Sequence, residues 1–137
     1  SVKDHLDSGA YTKSAWRNRA GRRKEILQIF PALEKLMDTS VGRLSGGERR
    51  MVAIGRGLMA EASLYLVDEP TLGLAPKLGK SVLEALFEIE LGESAMVIAE
   101  QNVALLDGRV DRIIGMHVGK LKGEAAASLA YQTKREL

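Results

Sequence analysis

Ser45-Gly46-Gly47-Glu48 stand directly before a stretch of helical periodicity that runs to about Met59. Ser45 can N-cap that helix, and Glu48, three residues on, can complete a capping box. A capping box needs no glycine, and glycine costs about 1 kcal/mol in a helix. Gly46 and Gly47 strip side chains from the first turn. A ligand can then approach the free backbone N–H groups, where the helix dipole favours an anion. The pattern predicts a phosphate contact in addition to a cap. A second pair follows in Asp68-Glu69, directly after the apolar run Leu64–Val67. Ligands of open α/β sheets sit at the carboxyl ends of strands. There Asp68 can hold Mg²⁺, directly or through water, while Glu69 polarises a water. By itself the pair also suits the start of a solvated loop.

The elements that must position these groups are readable in outline. Ile26, Ile29, Phe30, Leu33, Leu36 and Met37 repeat at helical spacing. Pro31 interrupts them and predicts a second helix with proline at its first position. Residues 38–43 read as a loop. Met51, Ile54 and Leu58 line one side of the helix after Ser45. Leu64–Val67 and Ala95–Ala99 predict strands covered on both faces, as in a parallel sheet. Between them, Pro76–Ile89 is helical, with Leu78, Val82, Leu86 and Ile89 on one face. Residues 109–124 read as two short strands around Gly119, and Ala125 to about Arg135 as a closing helix. Strands alternating with helices predict an α/β architecture.

The chain has 137 residues, 45% of them hydrophobic, enough for one domain with a core. It contains no cysteine, which excludes disulfides and thiolate metal sites. His5 and His117 are far apart in sequence and suggest no metal site. No apolar run approaches bilayer length, and the start lacks the pattern of a signal peptide. Lys13, Arg17, Arg19, Arg22, Arg23 and Lys24 form a basic stretch without an acid, read as a solvated helix face or loop. A net charge of +2 gives little support for a nucleic-acid partner, and none is expected.

Taken in order, "LSGGE", a helix, "LYLVDEPT", a helix and "MVIAEQN" resemble an ABC-type ATPase, and the resemblance covers nearly the whole chain. It implies an ATP-binding and ATP-hydrolysing subunit using Mg²⁺. Leu44, Ser45, Gly46, Gly47 and Glu48 look like the signature, which contacts nucleotide held by a partner cassette. Leu64–Asp68 looks like the Walker B strand, with Asp68 on Mg²⁺ and Glu69 the catalytic carboxylate. Leu72, Gly73, Leu74 and Ala75 take the D-loop positions, and Gln101 the switch position, where most members have histidine. Gln101 offers only a neutral amide donor to a phosphate. "DEPTLGLAP" with "EQN", "AIGRGLM" and "GAYT" is similar to an ATPase subunit of branched-chain amino acid importers and of related amide or urea importers. Gly57 departs from the alanine expected there. The implied partners are a second ATPase subunit and transmembrane permease subunits, at the cytoplasmic face of the membrane. Tyr11 and Trp16 lie in the part that would face the permease, and local packing is expected for both.

No G-x-x-x-x-G-K-[ST] occurs. "LAPKLGKS" ends in Gly79-Lys80-Ser81, but Leu74 stands where the first glycine belongs and the segment is helical, whereas a P-loop follows a strand. The expected fold is therefore a partial P-loop NTPase of the ABC type. A helical signature subdomain spans 1–60, and the latter part of the ATPase core spans 61–137. The chain is read as a fragment, inactive alone. The Walker A strand is expected to lie between the Walker B and switch strands. Its absence would be met by direct pairing of 64–67 with 95–99, or by strand exchange with another chain. Two other readings stay open: a half without a P-loop that completes another subunit's site, and a nucleic-acid-associated ABC ATPase supported only by the basic stretch.

Overall fold

The computed structural model describes residues 1–89, 92–106 and 108–126. The chain divides into two compact units, one from Ser1 to Ala99 and one from Glu100 onward. By compactness the helical layer and the first two strands fall in one unit.

The first unit begins with three helices: α1 (Val2–Asp7), α2 (Lys13–Ile29) and α3 (Gly46–Leu58). Each starts at a hydroxyl N-cap. Ser1 forms a capping box with Asp4, Thr12 Oγ1 accepts the Ala15 N–H at 3.1 Å, and Ser45 caps α3. The basic stretch is thus helix α2, which buries only Ala15 and Ile26. Pro31 does occupy a first helical position, but the segment Pro31–Leu36 is 3₁₀ rather than α, and it sinks Leu33 into the core. Residues 38–43, read as loop, include a single 3₁₀ turn at Val41–Arg43. The core is concentrated in this layer: Val2, Leu6, Ile26, Leu33, Val52 and Met59 are all at most 2% exposed. Polar ties supplement it. Glu61 accepts from Ser14 Oγ (3.3 Å) and Asn18 Nδ2 (3.1 Å), and Arg22 Nε donates to the Leu58 carbonyl (3.1 Å).

The α3 helix then leads into β1 (Leu64–Asp68), α4 (Pro76–Phe87) and β2 (Ala95–Ala99), a parallel βαβ unit. β1 and β2 are direct neighbours in the register Leu64↔Ala95 to Asp68↔Ala99. The ladder extends one residue further, where Glu69 N–H donates to the Ala99 carbonyl at 2.9 Å. In this chain no gap separates the two strands. Of the two remedies foreseen, direct pairing is the one present. The expectation of burial on both faces is also corrected. Tyr65 faces inward, but Leu64, Leu66 and Val97 on the opposite face are 49%, 74% and 56% exposed. α4 ends at Phe87, two residues short of the predicted stop.

The second unit holds the expected hairpin, β3 (Arg112–His117) and β4 (Lys120–Ala126), antiparallel around a turn at Val118-Gly119 whose φ angles are both positive. Ala125 and Ala126 end β4 rather than starting a helix, and the rest of the predicted closing helix lies outside the described residues. No helix among the described residues is long and apolar enough to cross a membrane.

Two glycines contacting α3 or lying in it make opposite predictions. An ideal Cβ on Gly9 would fall 2.0 Å from the Arg56 carbonyl oxygen, a backbone atom that cannot step aside, whereas one on Gly57 meets nothing within 4 Å. Gly57→Ala should raise unfolding stability by roughly 0.5–1 kcal/mol through helix propensity. Gly9→Ala should destabilise by roughly 1–3 kcal/mol through overpacking. Denaturant melts of the two variants check both signs.

Candidate functional site

The amino end of α3 is built as its sequence suggests. Ser45 Oγ accepts the Glu48 N–H at 3.3 Å, and Glu48 Oε2 accepts the Ser45 N–H at 2.7 Å. Ser45 Oγ accepts here through a lone pair, and the Ser45 side chain is also the first cause of the lowered Glu48 carboxyl pKa. The two glycines have separate reasons. Gly46 is exposed, with open space where a side chain would be, which leaves the first turn accessible to a ligand. Gly47 is buried, and a Cβ there would lie 2.2 Å from Leu78 Cδ2. Its missing side chain admits α4. Leu44, preceding the cap, is buried and extended, anchoring the turn before the helix.

At the other end of the site, Asp68 is the last residue of β1 and is exposed. Glu69 follows with φ +42°, a left-handed conformation that costs a non-glycine residue of order 1–3 kcal/mol. Glu69 also precedes Pro70, and a residue before proline is already biased toward extended backbone. Beyond it, the Leu72 N–H reaches the Glu69 carbonyl (3.1 Å) and the Leu74 N–H the Thr71 carbonyl (3.1 Å). Gly73 takes φ +74°, Leu72 is exposed, and Ala75 is the N-cap residue of α4 without a side-chain bond. Ser45–Glu48, Asp68, Glu69 and Leu72–Ala75 all belong to the first unit. Gln101 is exposed at a bend in the second. Among the described residues no group of three or more His, Asp or Glu could hold a metal unaided.

One residue of the site carries no signal in the sequence. Arg50, in the second turn of α3, donates from Nε to the Pro70 carbonyl at 3.2 Å and from its terminal nitrogen to the Glu69 carbonyl. The partners lie 19 and 20 residues away, so neither helical spacing nor local motif marks it. Tyr11 and Trp16 also depart from expectation. They are 76% and 50% exposed rather than packed, and they line a groove at the α1–α2 junction with Lys13 and Arg17. Arg19 stacks over the Trp16 ring at 4.1 Å, and Arg23 pairs with Asp7.

A helical layer feeding a parallel βαβ unit, with carboxylates at the strand end and a capped helix N-terminus left accessible at Gly46, fits the frame of an ATP-binding cassette. Residues 3–72 match the family model described as "ABC transporter". The chain belongs to the ABC transporter family. It is 34% identical over 97 residues to the high-affinity branched-chain amino acid transport ATP-binding protein BraG of Pseudomonas aeruginosa, covering 71% of this chain and 42% of BraG. It superposes on CbiO1 of Clostridium perfringens, part of the ABC transporter complex CbiONQ, with a TM-score of 0.77 and 26% identity, over 98% of this chain and 54% of that one. A dimeric cassette, MJ0796, in a post-hydrolysis state with ADP and Pi superposes with a TM-score of 0.66 and 26% identity, over 81% and 48%. The chain thus spans about half the length of the relatives it matches.

The cap yields a pH prediction. Hydrogen bonds from the Ser45 side chain and backbone hold the Glu48 carboxyl below its ordinary value of 4.5. A lowered folded pKa means the contribution is complete above that value and fades as pH falls through the folded one. The stability difference between the wild type and Glu48→Ala should be constant near neutrality and shrink below about pH 4.5. Paired melts from pH 7 to pH 3 would show it, and a difference that grows on acidification would contradict the box.

Proposed function

We propose that this chain is the latter part of the ATP-hydrolysing subunit of an importer for branched-chain amino acids or related amides, and that it is inactive alone. The observation that carries the reading is the combination on α3 and β1. An accessible, capped helix N-terminus at Ser45–Gly46 and strand-end carboxylates at Asp68-Glu69 stand in a chain 34% identical to BraG.

The roles follow from the chemistry of each group. Ser45 and the exposed first turn of α3 donate to the phosphates of nucleotide held by a partner cassette. Asp68 offers one carboxylate to Mg²⁺, whose other ligands must come from nucleotide and water. The ion, when bound, neutralises phosphate charge. Glu69 polarises the attacking water, and Gln101 contacts the terminal phosphate through its amide. Leu72–Ala75 pass between the sites of the paired cassettes. Because hydrolysis is mostly positioning and charge stabilisation, a chain without a phosphate-cradling loop lacks the larger share of catalysis.

Two surfaces suit the partners this reading requires. A parallel sheet is normally covered on both faces, and the apolar face of Leu64, Leu66 and Val97 takes the remaining part of the cassette. The groove holding Tyr11 and Trp16 beside Lys13 and Arg17 suits an apolar, partly acidic segment of a permease. The subunit would then sit peripherally on the membrane.

The test is calorimetry with Mg-ATP on this chain, then on the chain fused to the part of BraG that it does not cover. No binding alone, with micromolar binding and hydrolysis after fusion, is expected. In the fusion, Glu69→Gln should retain binding and lose hydrolysis by roughly 10²-fold or more, the scale of general-base removal. Micromolar binding by the unfused chain would overturn the reading. Leu66→Asp supplies a further check. It should change the chain's own stability by no more than about 0.5 kcal/mol, as for an exposed position, yet prevent the fused cassette from assembling.

A further inference from the structure

Glu69 holds a backbone conformation that needs a cause. Its φ is +42°, and it is followed by proline. Such a conformation persists only where the surroundings over-determine it, and here both peptide groups of Glu69 are engaged. On the amide side, Glu69 N–H donates to the Ala99 carbonyl at 2.9 Å, which fixes the residue to the end of β2. On the carbonyl side, the oxygen accepts the Leu72 N–H at 3.1 Å and the Arg50 guanidinium, while Arg50 Nε takes the next carbonyl, Pro70, at 3.2 Å. Pro70 lacks an N–H and is buried, so the two carbonyls are what this turn can offer α3. A planar fork with several donors in fixed directions can span adjacent carbonyls, and the single ammonium of lysine cannot do so in the same geometry.

We propose that Arg50 is a positioning residue that locks the Glu69-Pro70 backbone onto α3. It thereby sets the direction of the Glu69 carboxylate by reference to the helix whose amino end is capped by Ser45. The proposal rests on the reading of Glu69 as the hydrolytic carboxylate. Its consequence is that the group facing a partner's nucleotide and the group serving the chain's own nucleotide are carried by one rigid link. Arg50 lies five residues from Ser45 along α3, about 7.5 Å at the helical rise.

The lock can be tested on the chain itself without nucleotide, by NMR of the Glu69 amide: its φ-sensitive three-bond coupling and its hydrogen-exchange rate. Arg50→Met keeps the aliphatic stem against α3 and removes every donor. It is expected to shift the Glu69 coupling away from its wild-type value and to speed exchange of that amide roughly ten-fold or more, the scale of losing a charge-assisted hydrogen bond. Amides in α1 should stay unchanged. Arg50→Lys, a milder change that covers the case of a poorly folded methionine variant, should fall between. Millimolar guanidinium should restore the wild-type coupling in Arg50→Met and leave the exposed-site control Arg49→Met as it was. A wild-type coupling and exchange rate at Glu69 in folded Arg50→Met would overturn the lock. In the fused cassette Arg50→Met should lower kcat with little change in KM. An unchanged kcat there, beside an altered Glu69 signal, would overturn the positioning role. A fused cassette that hydrolyses nothing even as wild type would instead count against the functional reading, and the NMR result would then decide the lock alone.

Discussion

The placement of α3 governs the rest of the first unit, and it is set by close approach at places where side chains are missing. Gly47 admits Leu78 of α4, Gly55 admits Ile26 of α2 and Leu6 of α1, and Gly9 lets the end of α1 come against the Arg56 carbonyl. These approaches fix the helix against α1, α2 and α4. Packing at this density transmits displacement rather than absorbing it. The capped end at Ser45 and the carbonyls gripped by Arg50 therefore belong to one body. The price is helix propensity, since α3 carries glycine at four of its thirteen positions. It is offset by the burial of Met51, Val52 and Leu58 on the inner side.

How much of this was legible in the sequence depended on the range of the interaction. The capping box is decided within four residues, and it formed as read. The strands Leu64–Asp68 and Ala95–Ala99 and the turn at Val118-Gly119 are equally local, set by β-branched runs and by turn residues. Gly47 was misassigned because its reason is Leu78, 31 positions on; a Ser-Gly-Gly string cannot say which glycine faces solvent and which faces a helix. Arg50 was silent for the same cause. The six-residue 3₁₀ segment after Phe30 keeps an α-like apolar spacing, so periodicity alone could not separate the two.

Strand adjacency was legible only as one of two alternatives, direct pairing or strand exchange, and direct pairing is the one present. A continuous apolar run says that a strand is meant for burial, but not what lies beside it in the sheet. The ladder from Leu64↔Ala95 to Asp68↔Ala99 joins the two strands directly in this chain, and α4 is long enough to carry the crossover between them. The same run misled on coverage. Tyr65 is buried beneath the sheet while Leu66 beside it is largely exposed. Apolar composition marks a strand as suited to burial, while the structure shows Leu66 and Val97 more than half exposed.

That bare face has a consequence for the chain's life in a cell. Apolar side chains in a row on a two-stranded sheet with open edges are what chaperones and proteases recognise in proteins that have lost their packing. Wherever this chain stands without something covering Leu64, Leu66 and Val97, its abundance will be set by surveillance as much as by synthesis. A partner that covers the face would act as a stabiliser by mass action before it contributed any chemistry.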